Sequence, residues 1–285
     1  MTELITLSGL SKSYKDKKVL SDIKLSVHAG QILGLVGPNG AGKTTCLQAI
    51  LGLTECDGQL DVLGYNPRKQ RHQMLNDVAY IADVAVLPKW LQVEQALTYM
   101  AGIHQNFNRE KAEAFLAKTN IDLKVKVKTL SKGMVTQLHL ALVLAIDAKV
   151  LILDEPTLGL DLLTRRQFYR HLLEDFYTED KCIIVTTHQI EEVEHILSNV
   201  AFIREGKILL SADVEEVRRR YRLLAVPDEH LEQAKTLKPL FSNPLMGLTS
   251  MLFEHNSREE LTRLGNISTP SLADIFVGLM NKETC

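Results

Sequence analysis

The stretch QILGLVGPNGAGKTT, residues 31–45, constrains the fold of this chain more than any other part of it. It begins with the apolar run 32–36, which is the pattern of a parallel strand buried on both faces. Gly37, Gly40 and Gly42 follow, and glycines permit backbone angles that let several N–H groups face one anion. The pattern therefore predicts a buried strand that ends in an anion-binding turn.

The end of this stretch supplies the groups that a bound nucleotide needs. Lys43 offers a cation to the β- and γ-phosphates, and the Thr44 hydroxyl is suited to Mg²⁺. A helix predicted from Thr44 to about Leu51 would direct the positive end of its dipole at the same phosphates. A glycine-rich turn with a chance lysine is the alternative interpretation, but the flanking strand and helix favour a P-loop.

Composition and charge narrow the class of protein. The chain has 285 residues, of which 45% are hydrophobic and 24% charged, as is ordinary for a soluble globular protein. Its net charge of -2 gives no sign of general nucleic-acid affinity. The four cysteines form no C-x-x-C pair, which argues against zinc or a disulfide framework and favours a reducing compartment. No signal peptide or long uncharged apolar stretch is recognisable, so the chain is not expected to span a membrane by itself.

Apolar runs and turn signals predict the elements around the P-loop. Strands are expected at residues 4–10, 24–27, 58–63, 78–81, 150–153 and 182–186, with a hairpin over 200–210. The basic segment between the first two strands indicates a turn-rich connection. Helices are expected as two pieces within 90–119 and at 134–146, 162–175 and 189–197.

Tyr14 is the aromatic residue of the segment that precedes the P-loop strand. It could stack on an adenine ring, with Lys15, Lys17 and Lys18 attracting phosphate charge. The other interpretation is a half-buried tyrosine at a strand end. Spacing alone favours neither.

Ser131 and Gly133 stand in LSKGM, residues 130–134, at the start of a strongly apolar helix. A serine in this position is an ordinary N-cap, which the pentapeptide alone favours. The same geometry places free N–H groups and a hydroxyl at a helix N-terminus, so it could also be a second phosphate-binding site.

Asp154 and Glu155 follow a buried strand, and the carboxyl ends of parallel strands are where doubly wound sheets bind ligands. Asp154 suits the coordination shell of Mg²⁺, and Glu155 suits polarising the water that attacks a γ-phosphate. The alternative is an acidic turn without a function. The P-loop in the same chain favours the functional interpretation.

His188 ends another buried strand. At the sheet edge that holds the P-loop it could donate to the γ-phosphate and orient the attacking water. A lone histidine is more often a satisfied polar residue, and that interpretation stays open at this point.

Taken in order, these motifs resemble those of the ATP-binding subunits of ABC transporters over about residues 3–215. GPNGAGKT is similar to their Walker A motif, LSKGM to their signature loop, VLILDEP to Walker B with the catalytic glutamate, GLD to the D-loop and Thr187-His188 to the switch histidine. The resemblance implies a head-to-tail dimer, in which ATP bound by the P-loop of one copy is covered by Ser131 and Gly133 of the other. It also favours adenine stacking for Tyr14.

The motifs and the resemblance together assign three groups of site residues. The ATP-binding residues would be Tyr14, Gly37, Pro38, Asn39, Gly40, Ala41, Gly42, Lys43, Thr44, Thr45, Ser131, Gly133 and Asp161. Mg²⁺ would be held by Thr44, Asp83 and Asp154. Glu155 and His188 would act in catalysis.

The chain departs from the family pattern at three positions. Lys132 and Met134 replace a glycine and the glutamine of the usual LSGGQ, so the contacts to the partner's nucleotide are expected to differ in strength. Asp83 stands where the family commonly has a glutamine that binds Mg²⁺ and senses the permease. An aspartate is also a hard ligand, but it is shorter and adds negative charge beside ATP.

The tail begins with the basic segment VEEVRRRYR. Its arginines could contact anionic lipid headgroups, although a solvated helix face is the favoured interpretation. Beyond it, strands are expected at 221–226 and 248–253 and helices at 229–237, 258–264 and 271–280. The ending TPSLADIFVGLM is similar to the C-terminal stretch of ATPases from drug- and antibiotic-exporting ABC systems, which is a modest argument for export.

The predicted fold is therefore α/β, with a P-loop ATPase core around a parallel sheet, an N-terminal antiparallel β part, an inserted helical subdomain and a small C-terminal α/β appendage. The ATP-binding domain would span residues 1–215, with the helical subdomain at about 85–150. The C-terminal accessory domain would span 216–285. The resemblance implies that the helical subdomain docks on a membrane permease.

The favoured function is an ATPase subunit that energises transport, in the direction of export, through a separately encoded integral-membrane permease. Its expected partners are a second copy and that permease, with no nucleic acid, and its expected place is cytoplasmic and peripheral on the inner face of the cell membrane. The alternative is a soluble ABC ATPase that is regulatory or acts on ribosomes or DNA. Ribosome- and DNA-associated relatives usually carry two cassettes or a long coiled coil, which this sequence lacks, and Glu155 with His188 argues against a purely regulatory module.

Overall fold

A computed structural model describes residues 2–82, 87–245, 247–254 and 258–281. Asp83, predicted as a ligand of Mg²⁺, lies outside the described residues. The described strands are β1 Glu3–Tyr14, β2 Lys17–His28, β3 Ile32–Val36, β4 Asp57–Val62, β5 Val78–Ile81, β6 Val150–Asp154, β7 Cys182–Thr187, β8 Asn199–Arg204, β9 Lys207–Asp213, β10 Tyr221–Pro227, β11 Phe241–Leu245, β12 Leu248–Glu254 and β13 Asn266–Ser268. The described α-helices are α1 Lys43–Ile50, α2 Arg71–Met74, α3 Val93–Ile103, α4 Arg109–Leu116, α5 Lys132–Leu144, α6 Leu162–His171, α7 Val214–Arg220, α8 Leu231–Thr236, α9 Arg258–Thr262 and α10 Leu272–Asn281.

A six-stranded sheet with the order β5-β6-β7-β3-β8-β9 forms the centre of the molecule. The first five strands pair in parallel, and β9 is the antiparallel partner of β8. β3, β6 and β7 are buried at every residue, as apolar runs without alternation predict. Because these three strands are neighbours, the residues that follow them lie side by side at one edge of the sheet.

β1 and β2 form a long antiparallel hairpin, and β4 pairs with the other side of β1. Tyr14 pairs with Lys17, so the turn contains two residues, and Lys15 takes the left-handed backbone conformation with φ of 50°. The predicted turn-rich connection is therefore wrong. Its polar residues lie on the exposed face of strands whose apolar residues, such as Leu20, face the core.

The residues between β5 and β6 hold α3, α4 and α5, whose apolar sides share one core with the parallel sheet. The two helices predicted within 90–119 are α3 and α4. The predicted helix at 189–197 is wrong, because two 3₁₀ turns occupy Ile190–Glu192 and Glu194–Ile196. The buried residues Ile190, Val193 and Ile196 recur every three residues, and this spacing suits the three-residue turn of a 3₁₀ helix.

The last part of the chain forms a four-stranded antiparallel sheet with the order β11-β12-β10-β13. The sequence did not predict its two edge strands, since β13 has only three residues and β11 contains Pro244. α10 joins this part to the centre, because Leu272, Ile275 and Leu279 share a core with Ile190 and Val193. Within the described ranges, none of the helices is long and apolar enough to cross a membrane.

Candidate functional site

The loop between β3 and α1 uses its glycines for two different reasons. Gly40 and Gly42 have φ of 79° and 108°, which favour glycine, and Gly42 is the N-cap of α1. At Gly37, φ is not positive, but a Cβ would overlap the carbonyl oxygen of Ile203 on β8. The prediction of unusual backbone angles is therefore correct for Gly40 and Gly42 and wrong for Gly37, where close packing excludes a side chain.

Lys43 is the first residue of α1 and is buried. Its ammonium donates to the carbonyl oxygens of Gly37 at 2.7 Å and Pro38 at 3.4 Å, and it lies 3.3 Å from Glu155 Oε1. A charge removed from water needs such partners, because desolvation is costly. The cation is thus held between the loop backbone and a carboxylate.

Asp154 ends β6 and is only 1% exposed. The strand register pairs it with Thr186 of β7, and the Thr186 hydroxyl donates to Asp154 Oδ1 at 2.6 Å. This bond fixes the orientation of the carboxylate at the sheet edge. The other oxygen, Oδ2, has no hydrogen-bond partner in the described part of the chain.

Glu155 has φ of 47°, a left-handed conformation that costs a residue other than glycine about 1–3 kcal/mol. Its N–H donates to Thr186 O at 3.2 Å and to Thr186 Oγ1 at 3.1 Å. The bend brings Oε1 to Lys43, while Oε2 lies 3.0 Å from Nδ1 of His188. The sheet edge therefore brings Lys43, Glu155 and His188 together from three elements, as their positions after neighbouring strands predicted.

A cleft of about 620 Å³ opens beside the loop. The predicted residues that line it are Tyr14, Asn39, Gly40, Gly42, Lys43, Thr44, Thr45 and Glu155. Lys17 and Lys18, which were predicted beside Tyr14 to attract phosphate charge, also line it, whereas Lys15 does not. Val19 and Glu205 line it as well, and the sequence did not assign them to the site. Three lysines around one cleft suit a polyanion such as a triphosphate.

Tyr14 lines the cleft and is 46% exposed. Its hydroxyl lies 3.4 Å from Thr54 Oγ1, and the Lys12 ammonium lies 4.8 Å from the centre of its ring. It is the last residue of β1, as the strand-end interpretation states, and it also faces the cleft, as stacking on a base requires. Stacking itself stays a prediction.

Ser131 and Asp161 cap two neighbouring helices and do not line this cleft. Ser131 Oγ accepts from the N–H of Met134 at the start of α5, and Asp161 Oδ1 accepts two N–H groups at the start of α6. The Thr164 hydroxyl and N–H lower the pKa of Asp161 by bonding its carboxylate. A Cβ on Gly133 would lie 3.5 Å from Thr164 Cγ2, so the two helix starts adjoin. Capping by Ser131 is confirmed, and its role in binding phosphate stays a prediction.

The two unusual residues of LSKGM occupy different surroundings. Lys132 is exposed, and its ammonium lies so close to Gly159 that a Cβ there would overlap it. Met134 is partly buried and packs against the main core. The glycine-to-lysine departure therefore places a cation beside the loop that precedes Asp161.

The donor set beside the loop suits Mg²⁺. The Thr44 hydroxyl at the cleft and the Asp154 carboxylate are hard oxygen donors, which Mg²⁺ prefers over nitrogen or sulfur. Asp154 uses one oxygen for Thr186 and keeps the other free of described partners. These two residues therefore fit the ion, whereas the third predicted ligand, Asp83, lies outside the described residues.

Sequence reasoning missed Thr186 and Glu205. The available signal for Thr186 was a pair of threonines at the end of an otherwise apolar buried strand, where hydroxyls need partners. Glu205 occupies a hairpin turn that the sequence did predict. No sequence signal links that turn to the cleft, because the link comes from tertiary packing.

Comparison with known proteins agrees with this geometry. A family model described as "ABC transporter" matches residues 20–158. The lantibiotic transport ATP-binding protein SrtF of Streptococcus pyogenes is 32% identical over 216 residues, which cover 74% of this chain and 92% of SrtF. The Nod factor export ATP-binding protein I of Rhizobium etli is 34% identical over 211 residues, which cover 71% of this chain and 66% of that protein.

A solved structure described as the ATP binding subunit of an ABC transporter matches with a TM-score of 0.67 and 25% identity, over 76% of this chain and 92% of that one. These matches confirm the resemblance and the α/β P-loop fold. The chain therefore belongs to the ATP-binding proteins of ABC transporters, ATPases that hydrolyse ATP to power transport.

Proposed function

We propose that two copies of this chain bind Mg-ATP between them and hydrolyse it to drive export through a separately encoded integral-membrane permease. The observation that carries this proposal is the convergence of Lys43, Asp154, Glu155 and His188 at one sheet edge beside a basic cleft. Such a cluster of a cation, two carboxylates and an imidazole suits phosphoryl transfer to water.

The loop residues and Tyr14 bind different parts of the nucleotide. Backbone N–H groups of the loop and the Lys43 ammonium bind the phosphates, and Tyr14 stacks on the base. Thr44 and Asp154, with Asp83 as a third ligand, hold Mg²⁺. When bound, the ion would neutralise negative charge on the β- and γ-phosphate oxygens.

Glu155 is the general base in this proposal. A phosphate oxygen that accepts from Lys43 takes the place of Glu155 Oε1, which lies 3.3 Å from the ammonium, and the carboxylate is then available to a water. His188, 3.0 Å from Oε2, holds the carboxylate in position and can donate to the γ-phosphate.

Pairing of two copies is supported by the patch that carries Ser131, Gly133 and Asp161. These residues do not line the cleft of their own chain, yet two adjoining helix N-termini are suited to an anion. Leu158, Leu162 and Leu163 flank Asp161 and are 47%, 59% and 71% exposed. Exposed leucines beside such a site favour burial against a second copy, with its ATP facing Ser131 and Gly133.

Docking on a permease is supported by the inserted helices. Tyr99 and Ile103 lie four residues apart on one face of α3 and are 64% and 61% exposed, and Trp90 is 69% exposed. Three large, exposed apolar side chains on the inserted helical subdomain suit a protein–protein interface. We assign the docking surface to the subdomain at about 85–150, the ATPase domain to 1–215 and an accessory role to 216–285, with the protein peripheral on the cytoplasmic face of the membrane.

Export is favoured over import by the ending TPSLADIFVGLM and by the transport and export functions named for the relatives. The test is coexpression with a multi-span membrane protein encoded beside this chain, followed by co-purification. Tyr99→Asp should abolish co-purification and leave ATP binding intact. Leu248→Asp is the matched control, because Leu248 is 43% exposed and belongs to β12 of the C-terminal sheet, not to α3.

ATP-dependent accumulation in inverted vesicles would establish direction. Co-purification that survives Tyr99→Asp, Ile103→Asp and their combination would contradict the docking surface. Failure of both the wild-type chain and the Glu155→Gln variant to form a dimer with Mg-ATP in light scattering would contradict the ATP site shared by two copies. The test of the docking surface and the test of the dimer are independent of each other.

A further inference from the structure

A carboxylate without a role in phosphate chemistry lies in the nucleotide cleft. Glu205 belongs to the turn between β8 and β9 and lines the same cleft as Tyr14 and Thr44. Negative charge beside a triphosphate is unfavourable by Coulomb's law, and a hydrogen bond donated by another part of the ligand would offset this cost. Its position therefore points to a donor on the nucleotide.

The turn between β8 and β9 is held against the phosphate loop and the β1–β2 hairpin, which are the proposed binding sites of the phosphates and the base. The Gly206 N–H donates to Ala41 O in the phosphate loop at 2.9 Å, and Gly206 O accepts from the Ser21 N–H at 2.8 Å. A Cβ on Gly206 would overlap Val19 O, so the turn also packs directly on β2. Glu205 is thus held where the phosphate loop meets the β1–β2 hairpin that carries Tyr14.

Within the described part of the chain, the Glu205 side chain has no partner that would explain its presence. It is exposed, and among the residues that the structure describes it makes no hydrogen bond or ion pair, although Lys17 and Lys18 line the same cleft. The residue also keeps φ of 48°, a left-handed conformation that glycine or asparagine would adopt more readily. The described contacts of the fold therefore do not require a glutamate at this position.

The covalent order of a nucleotide decides which of its groups Glu205 meets. With the base on Tyr14 and the phosphates at Lys43, the ribose lies between them, in the cleft that Glu205 also lines. Its 2′ and 3′ hydroxyls are neighbouring donors, and one carboxylate can accept from both. We infer that Glu205 recognises the ribose of the bound nucleotide and selects ribonucleotides, an inference that rests on the proposed placement of ATP.

The test compares ATP with 2′,3′-dideoxy-ATP, which lacks both hydroxyls, by calorimetric titration of the full chain. The wild-type chain should bind ATP about tenfold more tightly, as expected for hydrogen bonds to a charged acceptor in an open cleft. Glu205→Gln should reduce this preference to less than about threefold. Asp16→Asn is the matched control, since it removes an equal charge from the exposed β1–β2 turn without lining the cleft, and it should keep the preference.

The ratio of the two affinities separates recognition from simple charge repulsion. Loss of a negative charge alone would tighten both nucleotides equally and leave the ratio unchanged, which would overturn the inference. Equal binding of the two nucleotides by the wild-type chain would also overturn it. Both of these outcomes leave ATP binding intact, whereas a wild-type chain that binds neither nucleotide would overturn the proposed function itself.

Discussion

The Lys43 ammonium lies 3.3 Å from Glu155 Oε1, with only 7% of the lysine side chain and 13% of the glutamate side chain exposed. This pair joins the phosphate-binding loop to the carboxylate that we propose as the base. Because both charges are shielded from water, neither can lose its partner without leaving an uncompensated charge. When a phosphate oxygen binds the Lys43 ammonium, Glu155 therefore needs another partner for its charge.

The first prediction concerns the coupling of these two residues. Lys43→Met and Glu155→Gln are each expected to lower the free energy of unfolding by about 1–3 kcal/mol, because each leaves one buried charge unpaired. The double variant should lose at least about 1 kcal/mol less than the sum of the two. Urea unfolding without nucleotide measures all three values. Additive effects would show that the pair contributes nothing to stability.

The second prediction separates binding from turnover. Glu155→Gln should lower the rate of Mg-ATP hydrolysis about 10²- to 10⁴-fold, since a general base contributes that much, while ATP affinity stays within severalfold of wild type. Glu191→Gln is the control, because Glu191 is exposed and close in sequence to His188. Hydrolysis by Glu155→Gln at the wild-type rate would contradict the assignment of the base.

The sequence predicts which residues lie at the sheet edge. It predicts the contacts between them only in part. Buried apolar runs placed the loop, Asp154 and His188 after strands, and parallel strands end at a common edge. The pairing of Glu155 with Lys43 and His188 depends on the left-handed backbone of Glu155. No local pattern predicts that conformation for a glutamate.

Two of the other errors share a physical cause, because tertiary packing outweighed local signals. The polar residues around Lys15 read as a loop, yet cross-strand pairing with an apolar inner face extends both strands through them. Glu205 reaches the cleft only because its turn bonds to Ala41. Conversely, Ser131 and Asp161 were correctly placed at helix starts, since N-capping is a local interaction.

The third prediction concerns the Thr186 hydroxyl, which donates to Asp154 Oδ1 at 2.6 Å and accepts from the Glu155 N–H at 3.1 Å. Thr186→Val keeps the shape of the side chain and removes both bonds, so stability should fall by about 1–3 kcal/mol. Magnesium-dependent ATP turnover should also fall, because the proposed ligand Asp154 loses its orientation. Thr186→Ser restores the hydroxyl and should recover most of the turnover. Failure of that rescue would point to packing of the methyl group instead.

The fourth prediction concerns pH. Hydrogen bonds from Thr164 lower the pKa of Asp161 in the folded chain, so its ionised form stabilises the fold at pH values above the unfolded pKa of about 3.9. This stabilisation is lost as the pH falls through the folded-state pKa. Asp161→Asn mimics the uncharged form, so its Tm should lie below that of wild type at pH 7 and approach it under acidic conditions. A difference in Tm that persists unchanged at pH 3 would contradict the role of the charge.

The fifth prediction concerns the attachment of the C-terminal part. Glu194 Oε1 accepts from Arg218 Nη2 at 3.0 Å and from the Leu272 N–H at 3.1 Å, so one oxygen joins the segment after His188 to α7 and the start of α10. Glu194→Ala should lower the free energy of unfolding by about 1–3 kcal/mol, since it leaves both donors without this acceptor. Glu215→Ala is the matched control. It removes the exposed second partner of the same arginine and should cost no more than about 0.5 kcal/mol, because solvent screens such pairs. Equal losses in the two variants would show that the bridge at Glu194 does not hold α10 in place.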